Sequence, residues 1–170
     1  MISDFSFESH TLFKGDSAIS SSGGHTRPAL QLPLRIPKEL LRLDAVTPSL
    51  EAMIRHFAPL KLIWKIDGER GGGMCATALL EIHEATGGTW ELCVLMNAST
   101  PRHQHHEGGL YGECVVTLAG ALKDTLDDGT PVVLRAGAVM FHAANTVHQS
   151  TADYYWVGII HQPCGCTFLP

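Results

Sequence analysis

Asn97-Ala98-Ser99-Thr100-Pro101-Arg102-His103-Gln104-His105 sets two histidines two positions apart in a stretch that reads as extended chain. Alternate side chains of a strand share one face, so His103 and His105 point the same way. Working outward, Glu113 follows the next glycine-rich run, and His148 follows Gly137. Two imidazoles on one face, with a carboxylate and a third imidazole arriving from later strands, can close around a divalent metal. Imidazole nitrogen and carboxylate oxygen suit zinc, iron, manganese, nickel or copper. The function therefore starts from an expected metal site.

The surrounding chain reads as β. Leu60–Ile66, Met74–His83, Thr89–Met96, Glu113–Leu122, Pro131–Arg135, Ala138–Phe141 and Tyr154–His161 are rich in β-branched and apolar residues and are bounded by turn signals. Met74–His83 and Thr89–Met96 form a hairpin pair around Gly87-Gly88. Asp67 to Gly73 is a turn or loop, and Asp127-Asp128-Gly129 is a hairpin turn in preference to an acidic site. Many short strands imply an all-β sandwich or barrel. If Glu113 points inward, so do Val115, Thr117 and Ala119. Cys114, Val116 and Leu118 then point outward and are also apolar, so that strand needs cover on both faces.

Helix is confined to the first third. Thr47 is a suitable N-cap, Pro48 fits the first helical position, and Leu50, Met53, Ile54 and Phe57 make one apolar stripe over residues 47–57. Pro59 ends it, and a short turn is expected at Lys38–Leu43. Pro28, Pro33 and Pro37 limit Leu30–Ile36 to an edge strand or extended chain. Residues 1–30, with Ser20-Ser21-Ser22-Gly23-Gly24, read as a flexible N-terminal arm. Residues 31–170 then make one domain, as 170 residues suggest.

A net charge of −5 without a Lys/Arg cluster argues against a nucleic-acid partner. No apolar run approaches the roughly 20 residues of a membrane span, and no secretory leader pattern is visible. Five cysteines, Cys75, Cys93, Cys114, Cys164 and Cys166, are an odd number, and three lie inside expected strands. That fits a reduced, cytoplasmic setting better than a disulfide framework. The Cys164-Gly165-Cys166 pair reads as incidental.

The spacing of these residues resembles the cupin motifs. The first motif runs Gly, five residues, His, one, His, three or four, Glu, six, Gly; here Asn97, His103, His105, Glu113 and Gly120 follow it with seven residues before Glu113. The second runs Gly, five, Pro, one, Gly, two, His; here Gly137, Ala143, Asn145 and His148 follow it. Asn97 and Asn145 stand at motif glycines, and Asn tolerates positive φ. Glu113 keeps the six-residue spacing to Gly120, which favours it over Glu107 as the carboxylate.

The resemblance implies a cupin jelly-roll β-barrel with a short N-terminal helical or extended segment. It implies one divalent metal per subunit, Fe(II) or Zn(II) foremost and Mn or Ni as further options. His103, His105, Glu113 and His148 would be its ligands. Positions left open on the metal would admit a small-molecule substrate. His106 is expected in the loop or behind the ligands, and His142 in the wall or behind them. His161 and Trp156, at odd separation on one strand, face opposite sides, so at most one lines the cavity.

The region from His103 to Gly120 is similar to small acetylacetone-type and hydroxyacetophenone-type cupin dioxygenases. That similarity implies a mononuclear Fe(II) dioxygenase for a small diketone or aryl ketone, with Glu113 as ligand or base. Pro101 to His105 also resembles the zinc-binding cupin half of certain anti-sigma factors, which implies a non-catalytic sensor or binding module. Residues 1–59 lack the second zinc set and the helices that a complete factor needs. A sugar or keto-acid isomerase is a third reading on the same barrel. The expected assembly is a homodimer.

Overall fold

The computed structural model describes residues 36–70, 72–83, 88–106, 113–162 and 166–170. The chain divides into two compact units, 1–35 and 36–170, and the first lies outside the described residues. The expected N-terminal arm therefore lies outside them, with nearly all of the expected edge strand, and so do Glu107 and Cys164.

The second unit opens with a 3-10 turn at Lys38–Leu41 and the helix α1, Leu50–His56. The expected Thr47 cap is corrected: Ser49 caps this helix, its side chain accepting from the Ala52 backbone N–H. Ser49 is extended (φ −141°, ψ 151°), which leaves Thr47 and Pro48 in the turn before it. Met53 and Phe57 on the apolar stripe are fully buried, and α1 packs against the sheet.

Among the described residues nine strands follow: β1 Trp64–Arg70, β2 Gly73–His83, β3 Gly88–Ser99, β4 His103–His105, β5 Glu113–Leu126, β6 Pro131–Arg135, β7 Val139–His142, β8 Val147–Gln162 and β9 Cys166–Phe168. The expected strand at Leu60 starts later, because Ala58–Leu60 is a second 3-10 turn and Lys61 is left-handed (φ 53°). β1 then runs through Asp67 to Arg70, a stretch expected to be turn or loop. All pairings are antiparallel, in the order β1-β2-β3-β8-β4-β9, with β5 pairing β8, β6 and β7. β8 is the hub, bordered on one side by β3 and β4 and on the other by β5. The tail strand β9 was not legible in the sequence.

Alternation explains both faces of this curled sheet. Cys93 and Leu95 of β3, Val115 of β5 and Trp156 and Ile160 of β8 line one concave cavity. Their neighbours Leu92, Val94, Val116, Val157 and Ile159 are fully buried on the other face, so the two-sided cover expected for β5 is present. The inner core centres on Trp156, whose indole N–H donates to Thr117 Oγ1 at 3.0 Å. A Cβ on Gly158 would stand 2.1 Å from that indole ring, so only glycine fits there. Asn97 and Asn145 adopt φ of 48° and 64°, as their motif positions require. The Asp127 turn is a hairpin turn, with Gly129 at φ 82° and Arg102 pairing with Asp127 from outside.

Candidate metal centre

Three strands bring the four expected donors together. His103 and His105 project from β4 with Gln104 between them, and both are buried. β4 pairs with β8 so that His103 lies opposite His148, and β5 begins at Glu113, opposite His142 of β7. His103, His105, Glu113 and His148 each offer an atom within 4.8 Å of the others, and all four are buried.

The outer ends of two rings are already committed. Pro101 C=O has no hydrogen to give, so His103 Nδ1–H donates to it at 2.7 Å. His148 Nδ1–H donates to the Asp124 carboxylate at 3.0 Å. Each neutral ring then presents a bare Nε2 lone pair inward. His103 Nε2 stands 3.1 Å from His105 Nε2, His105 Nε2 stands 3.3 Å from Glu113 Oε1, and His148 Nε2 stands 3.5 Å from Glu113 Oε2.

Ligand bonds of about 2.1 Å put neighbouring donors roughly 3.0 Å apart at right angles and roughly 3.4 Å apart in a tetrahedron. The three observed spacings lie close to these values. Glu113 Oε2 and His148 Nε2 are buried without hydrogen-bond partners. A group of polar atoms this deep and this unsatisfied is costly without a cation among them. The residues present therefore fit a divalent metal.

The centre faces a partly open cavity of about 260 Å³ whose lining includes His103, His105 and Glu113 and also the exposed Lys65. At about 30 Å³ per water, that is room for about nine waters, or a small organic molecule.

No family model and no curated protein matches the sequence. Solved structures resemble it in fold. A cupin-like protein from Thermotoga maritima shares 20% identity over 60% of this chain and 86% of its own, with a TM-score of 0.51. A cupin 2 conserved barrel domain protein from Rhodopseudomonas palustris shares 11% over 64% and 78%, with a TM-score of 0.53. A predicted oxalate decarboxylase from Thermotoga maritima shares 17% over 65% and 96%, with a TM-score of 0.50. This chain has the cupin fold. At these identities the likeness is one of architecture, and one barrel hosts many chemistries.

Two further residues complete the centre. Asp124, on β5, is fully buried; its Oδ1 accepts from His148 Nδ1 and from Ser150 Oγ, the latter at 2.6 Å. Its Oδ2 lies 3.4 Å from His142 Nε2. The His142 ring stacks on that of His148 with centroids 3.9 Å apart, which puts it beside the ligands, as one of its two expected places. His106 instead turns outward to Thr167, and His161 packs against Trp90 while Trp156 lines the cavity. Cys166 of β9 lies opposite His105 and also lines the cavity.

The electrostatics of the centre follow from burial and close neighbours. Burial raises the Glu113 carboxyl, but the His105 hydrogen bond and the charges of His148, His105 and His142 outweigh it and hold it low. Burial and the neighbouring His148 lower His103. The same two causes push His142 down to about 4. Burial also works against a charged His148, yet the Asp124 hydrogen bond and the two carboxylates raise it. Neutral His103 and His142 are the forms that can bind a metal.

Proposed function

We propose that this chain is a metal-dependent cupin enzyme, a mononuclear Fe(II) dioxygenase that acts on a small diketone or aryl ketone. The observation that carries the reading is the set of bare donors lining a partly open cavity. A structural metal would be enclosed by its ligands, whereas this centre keeps one side facing open space. Fe(II) bound there would act as Lewis acid and template for a substrate chelating through two oxygens, with room for dioxygen alongside.

The chain's own groups do the rest. Asp124 and the Pro101 carbonyl keep His148 and His103 in the tautomers that present Nε2. Leu95, Val115, Trp156 and Ile160 make an apolar wall for the body of an alkyl or aryl ketone and displace water from it. Lys65 and Gln162 offer hydrogen bonds to a polar tail. Glu113, with its carboxyl held low, is ionised at neutral pH and able to ligate or to take a proton from an enolisable substrate.

Oxygen consumption by anaerobically prepared Fe(II) protein, on addition of a diketone or aryl ketone, tests this. No uptake across such a panel, with zinc bound tightly and inertly, would replace the enzyme with the second reading. That reading, a zinc-binding module, is favoured by Cys166, a soft donor facing the cavity beside His105. We take the assembly to be a homodimer; Ile63, Ile66, Leu79 and Ile82 are exposed apolar residues on or beside β1 and β2 that a second copy would cover. Sedimentation at monomer mass would remove that expectation.

A further inference from the structure

We propose that the ketone held at the metal centre carries a carboxylate, which Lys65 and Thr77 bind in the wall of the cavity. The inference rests on the diketone or aryl-ketone reading above, to which it adds a charged group. Lys65 of β1 and Thr77 of β2 are direct partners across the sheet, so their Cβ atoms stand about 5 Å apart. Both line the cavity that His103, His105 and Glu113 line. The next residue in their row is Cys93 of β3, which lines it too.

β1 reverses the usual order of a strand over a core, in which apolar side chains turn in and charged ones turn out. Ile66, on the outer face opposite Ala76, is 54% exposed, whereas charged Lys65 lines the inside. A second copy over the outer face would account for Ile66 and leave Lys65 unexplained. An inward charge on an edge strand also discourages strand addition. That role asks nothing of Thr77 and nothing of a ligand.

Lys65 is the one Lys or Arg in the described lining, and it makes no ion pair among the described residues. The acids nearby have other places. Glu113 belongs to the metal centre. Glu91 sits on β3 opposite Leu79, with β2 between it and β1, and its Oε1 accepts from Thr89 Oγ1 at 3.1 Å. Asp67, two residues along β1, has a partner other than Lys65. An ammonium and a hydroxyl side by side, with no acid matched to them, suit a carboxylate, one donor to each oxygen.

Charge agrees. A divalent ion with ionised Glu113 keeps one positive charge, which the enolate of a diketone cancels. Lys65 supplies one more, which a carboxylate on the same molecule cancels. Because Lys65 is exposed, water and salt weaken the pair, and the expected preference is modest.

Calorimetry on the full chain loaded with redox-inert Zn(II) provides the test. The probes are acetylacetone, succinylacetone and the amide of succinylacetone. Succinylacetone has the same chelating diketone with a carboxylate-bearing arm, and its amide has the arm without the charge. Wild type is expected to bind the acid roughly three- to fivefold more tightly than the amide at low salt, with the ratio falling as salt rises. Lys65→Met keeps the length of the stem and is expected to bring the ratio to one. Lys65→Arg is expected to restore it, and Thr77→Val to lower it. A ratio of one in wild type, or a preference that survives Lys65→Met, overturns the carboxylate. Acetylacetone bound alongside such a result leaves the ketone reading standing. Binding of none of the three probes overturns both.

Discussion

Replacing Asp124 by Asn keeps the side chain's shape and removes its charge. Asp124 is fully buried and holds His148 Nδ1–H at 3.0 Å, with Ser150 Oγ as its second donor. An amide oxygen still accepts from the ring, but a charge-assisted bond becomes a neutral one, a loss of about 1–2 kcal/mol. Asn also puts an NH₂ group in place of Oδ2, facing His142 Nε2, and the ring is less firmly kept in the tautomer that presents Nε2. Losing the outer partner of a ligating histidine lowers metal affinity by about 10–100-fold. Competition against a chromophoric chelator measures this for zinc, and nitrogen NMR of His148 reads the tautomer directly. The expected result is a weakened metal site, with a mixture of tautomers in the metal-free variant. Affinity within twofold of wild type, with His148 still bare at Nε2, would show that β4 and β8 alone position the ring.

Glu113→Ala is expected to strip most bound metal while Glu107→Ala leaves it; metal analysis with the pattern reversed would show the wrong carboxylate was chosen. The metal-free protein is expected to lose stability as pH falls from about 6.5 to 4, because the unfolded chain gains a proton that folded His142, pushed down to about 4, refuses. The contribution is about 3 kcal/mol, complete below pH 4. His103 acts in the same direction, whereas raised His148 gives stability that is full below about 6.5 and fades as pH rises through its folded value. Denaturant midpoints across that range should flatten in His142→Phe, and an unchanged slope counts against this account. Gly158→Ala is expected to cost more than about 2 kcal/mol, because its Cβ would meet the Trp156 ring and the Val116 carbonyl oxygen at 2.6 Å; a midpoint near wild type would mean that the ring moves freely.

The parts of the site that sequence could reveal were those set by local period. His103 and His105 needed only alternation along a strand, and Asn97 and Asn145 needed only the backbone tolerance of Asn. Asp124 was hidden for a physical reason. It lies at odd separation from inward-facing Glu113, so strict alternation turns it outward. β5 shifts register between Thr117 and Ala119 and again between Gly120 and Lys123, and Gly120 takes φ 73°. These irregularities allow Leu122 and Asp124 to join the inner face. His142 was visible as a residue, but its role depends on β7 pairing with β5, a long-range contact with no local signal. The tail strand β9 was missed for the same reason, since three residues gain strand character only from β4 beside them.

The locks on His103 and His148 also bear on which ion fills the centre. Both lone pairs are aimed before any ion arrives, one by a main-chain carbonyl and one by a buried carboxylate. A receptor built in advance from three imidazoles and a carboxylate follows the general affinity order of first-row ions and selects weakly among them. Occupancy is then decided by supply at the moment of folding. Expression in different hosts is then expected to yield the same protein carrying different metals, and metal analysis of each sample checks it.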